Sequence, residues 1–231
     1  MPVAGFPRRY QAGHFTRGLT SRPAGVGWNI ALALHTLGDE VRLLGLLGAD
    51  PAGRVVREQT DAAGLAAEFH PTPETPQSVI LYDPAGRRRA ETDLKDLQEA
   101  GFPPDRFDAA LASCDLAVLA NSNWTRPLLA RARAAGVPIA TDLHEVRSLD
   151  NPYDADYLAH ADILFLSGER LPTAPEVFAA RLRERADPEI VGIGLGERGA
   201  LVSPRRAPPV LVPAVRPRPV RSPVGAGAAL F

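Results

Sequence analysis

Between residues 25 and about 200 the sequence keeps changing its period: segments with apolar residues every three to four positions alternate with short, nearly continuous apolar runs. That alternation restricts the fold severely. A helix placed between two strands forces them to pair in parallel through a right-handed crossover, so the expected product is one α/β domain with a doubly wound, mainly parallel sheet. The first helix is read in "WNIALALHTLG", where Ile30, Leu34 and Leu37 share a face and Gly38 stops the helix. "EVRLLGLLG" follows, apolar almost throughout, as a strand covered on both faces reads. In "DPAGRVVREQTDAAG" Asp50 is placed as N-cap, Pro51 as the first helical residue and Gly64 beyond the end.

One segment breaks the alternation. Residues 78–93 hold two β-rich runs around Asp83-Pro84-Ala85-Gly86, which predicts a hairpin that projects as a lid. The pattern then resumes through "PDRFDAALAS", "DLAVLA", "TRPLLARARAAG", "VPIATDL", "PYDADYLAHA", "DILFLS", "APEVFAARLRERA" and "EIVGIGLG". Residues 203–223 are rich in Pro and Arg, and they read as an edge hairpin with a solvated linker rather than a surface for a polyanion.

Charge narrows the partners. With 26 basic and 27 acidic residues the net charge is -1, which supplies no field for nucleic acid or a membrane surface and leaves a small molecule or a protein as the expected partner. Cys114 is the only cysteine, so no internal disulfide is expected. No apolar run reaches the length of a membrane span and the first residues lack a signal-type core, so a cytoplasmic protein is expected.

Ligands of open α/β sheets bind where strands end and helices begin, and several such loops carry suitable groups. "AGVGWN" combines Gly25 and Gly27, which allow close backbone approach, with Asn29, which can both donate to and accept from a hydroxyl-rich molecule. It is neither a dinucleotide fingerprint nor a P-loop. In "LANSNW", Asn121 and Asn123 could bond sugar hydroxyls and Trp124 could stack on a ring, or the segment is a turn around a packed Trp. "TDLHE" brings Asp142, His144 and Glu145 to a strand end.

The spacing of Gly25, Gly27, Asn29, Ala31, Gly38 and Gly48 resembles the first signature of the PfkB/ribokinase family of sugar and nucleoside kinases. "VGIGLGERGALV" is similar to the family's nucleotide-side turn, and "GAGA" at 225–228 to its second signature, GAGD. The resemblance implies a ribokinase-like fold, ATP and Mg2+ as cofactors, and a sugar or nucleoside as substrate. It implies nucleotide contacts at Gly194, Gly196 and Gly199, and an anion hole from the amides of Gly225, Ala226 and Gly227. The hairpin would cover the sugar and could join two copies of the chain.

The departures carry equal weight. The position of the family's catalytic base is Ala228, and Ser222 stands where an acidic residue usually opens the motif. Where the family has Asn-x-x-Glu to organise magnesium, this chain has Ser167 and Arg170, which leaves Glu169 and Asp142 as the metal candidates. The resemblance starts after the family's first strand and stops one turn into the anion-hole helix, as in a member truncated at both ends. The expected function is ATP-dependent transfer of the γ-phosphoryl to a sugar or nucleoside hydroxyl, impaired by Ala228. The alternative is a family member that binds sugar or nucleotide without turnover.

Overall fold

The computed structural model describes residues 19–82, 88–215 and 225–231. The first half of the chain runs α1 (Val26–Leu37), β1 (Arg42–Gly48), α2 (Pro51–Ala62), β2 (Ala66–Thr72) and the antiparallel pair β3 (Gln77–Tyr82) and β4 (Arg88–Asp93). The second runs α3 (Pro104–Leu111), β5 (Ala117–Val118), α4 (Arg126–Ala134), β6 (Ile139–Glu145), α5 (Ala155–His160), β7 (Ile163–Ser167), α6 (Pro175–Ala186) and β8 (Ile190–Gly194). It closes with β9 (Ala200–Pro204), β10 (Val210–Val212) and α7 (Ala226–Leu230). The Asp83–Gly86 turn, Ser222 and residues 216–223 of the Pro/Arg-rich segment lie outside the described residues.

Local chemistry sets the helix limits. Gly38 takes the left-handed conformation (φ 104°) and its N–H returns to the Leu34 and His35 carbonyls, ending α1. Asp50 accepts the Gly53 N–H at 2.8 Å and starts α2, with proline in its first turn.

Among the described residues six strands form the main sheet in the order β10-β9-β8-β7-β6-β5. β5 to β8 are parallel, while β9 and β10 return antiparallel at one edge. The sheet is less continuous than the sequence suggests. Among the described residues β1 pairs in parallel only with β2, a strand whose sequence AAEFHPT gives no clear two-residue alternation. The run "DLAVLA" contributes only the two residues of β5.

Both faces of the main sheet are covered. Leu164 and Leu166 of β7 and Val191 and Ile193 of β8 pack with Phe107, Leu128, Tyr157, Phe178 and Leu182 from α3 to α6. Leu46 of β1 joins the same core. Phe165 points to the other face, where its ring lies 4.8 Å from that of Phe231 just beyond α7. A methyl at its register neighbour Gly192 would fall 2.5 Å from Phe165 Cε1, so bare backbone there seats the ring. The layers are therefore α3–α6, sheet, and α7 with its neighbour α1, which is the doubly wound arrangement.

Candidate functional site

Two helix starts meet on the α7 face. α1 begins after Gly25 and α7 after Gly225, both glycines have positive φ (99° and 87°), and neither helix has a side-chain cap. A Cβ at Gly225 would sit 3.6 Å from Cγ and Nδ2 of Asn29, in the first turn of α1. Asn29 thus links the two glycine motifs, 196 residues apart in sequence by the difference 225 - 29. Helix starts present N–H groups without intrahelical partners and a partial positive charge, which suits an anion. Gly25, Gly27 and Gly227 leave that backbone open, since a Cβ at any of them would meet nothing within 4 Å. Ala228 is buried, at 7% exposure, and its methyl group accepts no proton.

The carboxyl ends of the parallel strands form a row beside this feature. At β8, Gly196 (φ 59°) is open, Gly194 carries the Leu230 side chain against it, and Gly199 is packed on the backbone of Val212 to Ala214. Of the three glycines expected on the nucleotide side, Gly196 alone faces open space. At β7, the Ser167 hydroxyl accepts the Glu169 N–H at 3.3 Å, and Arg170 pairs with Glu145 of β6 at 2.6 Å.

At β6 the register slips between Asp142 and Glu145, and His144 sits at φ 60°, a strained conformation for a residue other than glycine. Asp142 lies on the Phe165 side of the sheet and is buried. Its Oδ1 accepts the His144 N–H at 2.9 Å, with the imidazole 3.7 Å from Oδ2. Asp142 and Glu169 are not gathered with a third donor: no group of three His, Cys, Asp or Glu able to hold a metal occurs among the described residues.

At β5, Asn121 donates to Asp154 Oδ1 at 2.9 Å and Asn123 donates to the Gln98 side chain. Trp124 packs against Phe102, with ring centroids 6.2 Å apart. The loop is pinned from α5. Tyr157 Oη donates to the Ser122 carbonyl at 2.6 Å, accepts the Ser122 N–H at 3.1 Å, and lies 2.8 Å from Thr125 Oγ1. Burial is the largest influence on the Tyr157 hydroxyl and pushes its pKa up. Sequence reading missed Asp154 and Tyr157. The polar and aromatic cluster "NPYDADY" was the available signal, but its partners lie more than 30 residues away.

A doubly wound sheet with two uncapped helix starts on one face is a fold this chain shares with ribokinase-like proteins. The profile of the pfkB family of carbohydrate kinases matches residues 7–229, and the chain belongs to that family. Acarbose 7(IV)-phosphotransferase of Actinoplanes sp. is 31% identical over 178 residues, covering 73% of this chain and 57% of its own length. The chain therefore spans little more than half of that relative. The solved structure of the microbiome-derived acarbose kinase Mak1 is 28% identical with a TM-score of 0.77, covering 87% of this chain and 68% of that one. Arabidopsis thaliana ribokinase, solved with ribose and ATP, has a TM-score of 0.72 at 20% identity, covering 89% of this chain and 71% of its own, a likeness of fold. No helix among the described residues is long and apolar enough to cross a membrane.

Proposed function

We propose that this chain is a carbohydrate-binding member of the kinase family whose phosphoryl transfer is impaired at the proton-transfer step. The observation that carries the proposal is the meeting of the α1 and α7 starts at Asn29 and Gly225. ATP fits this reading because uncapped amides and open glycines suit a phosphate, and it would supply the transferred phosphoryl group. The amides of Gly225, Ala226 and Gly227 would cradle that group, Asn29, Asn121 and Asn123 would hold the sugar or nucleoside, and Gly194, Gly196 and Gly199 would line the nucleotide side. Magnesium accompanies ATP in the resemblance, but the described residues offer it no set of three donors, and no step is drawn through it.

The departure lies at Ala228. A hydroxyl attacking phosphorus must lose its proton, and a positioned base contributes ~10²–10⁴-fold to such a step. The second reading, a binder without turnover, rests on the same buried methyl.

Thermal unfolding with acarbose, ribose and ATP, each added alone, tests binding, because a ligand of the native state raises the melting temperature. A rise with at least one sugar is expected, and no shift with any of them would sink the proposal. Turnover is tested by ADP release from the native chain and from Ala228→Asp. Ala228→Asp alone is expected not to restore turnover, since the described residues also offer magnesium no set of three donors, and appreciable turnover in that variant would overturn this expectation. Equal, appreciable rates would show that the proton leaves by another route.

The same reading makes the β3–β4 hairpin the lid and the surface a second copy would cover, since Val79 and Leu81 are 60% and 62% exposed. It also places the protein in the cytoplasm, where ATP is available. Sedimentation should give a dimer that Val79→Lys with Leu81→Lys dissociates, and a native monomer would exclude the lid contact.

A further inference from the structure

The loop after β5 has a partner for nearly every polar atom that could set its shape. Thr125 Oγ1 lies 2.5 Å from the Ala120 carbonyl, Tyr157 holds Ser122, and Asn123 is tied to Gln98. Asn121 is the exception: its amide nitrogen donates to Asp154, while its Oδ1 is buried and has no partner among the described residues.

The oxygen and nitrogen of an asparagine are distinguished by what surrounds them, and here Asp154 decides. Asp154 is 5% exposed, and its second oxygen accepts the Asn151 amide at 2.7 Å. Both Asp154 oxygens already act as acceptors, so Asn121 turns its NH2 toward Asp154 and leaves its oxygen on the other side. A buried acceptor with no donor is costly and uncommon in native proteins. In the strand order β8-β7-β6-β5 this acceptor belongs to the β5 end, opposite the open Gly196 at β8.

We infer that Asp154 is a positioning residue that aims Asn121 Oδ1 as an acceptor for one hydroxyl of the bound carbohydrate. The inference rests on the carbohydrate-binding reading and makes it more specific. The site selects a hydrogen-bond donor at one carbon of the sugar, and Asp154 enforces that polarity without touching the ligand.

The experiment is a calorimetric binding series with ribose or acarbose, whichever raises the melting temperature, and its monodeoxy and monofluoro derivatives. In the native chain, removing one particular hydroxyl should weaken binding by about tenfold or more. The fluoro derivative at that carbon should be weakened equally, because fluorine accepts and does not donate. In Asp154→Asn the neighbour offers both a donor and an acceptor, Asn121 can turn over, and the preference at that carbon should disappear while preferences at other carbons persist. A residue that only held the fold would weaken every derivative together.

A fluoro derivative that binds as well as the parent sugar would overturn the inference even if the variant did not fold. An unchanged profile in Asp154→Asn would overturn it too. Either outcome leaves the carbohydrate-binding reading intact, whereas a native chain that binds neither sugar removes both.

Discussion

Asp50 draws its partners from well beyond its sequence neighbours. Its carboxylate accepts the Thr75 N–H at 2.8 Å, the Gly53 N–H at 2.8 Å and the Thr75 hydroxyl at 2.7 Å, while the Thr75 oxygen accepts the Gly48 N–H at 3.1 Å. These bonds favour the ionised form, and led by the Thr75 N–H they lower the Asp50 pKa to about 2 from the ordinary 3.8. A pKa depressed in the folded state stabilises the fold above the unfolded value, and that contribution is lost as pH falls from about 4 through about 2. Melting temperature followed from pH 6 to pH 2 should therefore fall less steeply in Asp50→Asn than in the native chain in the acid window. Parallel curves would show that Asp50 does not carry this acid sensitivity. The cap was legible in "DPAG", because a cap is a local matter. Thr75, 25 residues on, was not, because no local rule points to it. Asp154 and Tyr157 were missed for the same reason.

At the scale of elements, α2 docks on the exit of β1 through bare backbone. A Cβ at Gly53 would fall 2.1 Å from the Gly48 carbonyl oxygen and 3.0 Å from Thr75 Oγ1. Gly53→Ala should force the helix off the strand and cost about 1–3 kcal/mol, as overpacking typically does, with the loss read from denaturant unfolding. A neutral substitution would mean that the helix can slide freely. Tyr157→Phe removes the hydroxyl that pins the loop after β5, and should cost about 1–3 kcal/mol for the buried groups left unpaired. Sugar affinity should fall with it; stability lost with affinity unchanged would separate that loop from the binding site. The helices were readable because their apolar spacing and end residues agree, as in α1 with Gly38 and α2 with Asp50 and Pro51. β2 was not, since Pro71 and exposed alanines blur its pattern, and β5 shortened because its sequence turns into the pinned loop at once.

Across the whole molecule the interior is unevenly shared. β7 and β8 have strands on both sides and layers on both faces, whereas β3 and β4 pair only with each other among the described residues, and β10 is an edge with Val210, Leu211 and Val212 about half exposed. Hydrogen exchange should be slowest at Leu164 to Leu166 and Val191 to Ile193 and fastest in the hairpin and β10. Comparable protection everywhere would mean that the molecule opens only as a unit.

The fold class was legible in the sequence, because alternating periods leave few topologies. The site was legible only as motifs, because convergence of Gly225 on Asn29 depends on the placement of α7 against α1, which no neighbouring residue specifies. The strand order also fixes a length. From β5 to β8 there are three strand intervals, about 14 Å in all. The sheet is thus a ruler lying under the row of loops: in the proposed reading, a sugar at Asn121 and a nucleotide at Gly196 would together span that interval. In that reading a carbohydrate longer by a ring would have to extend away from the row rather than along it.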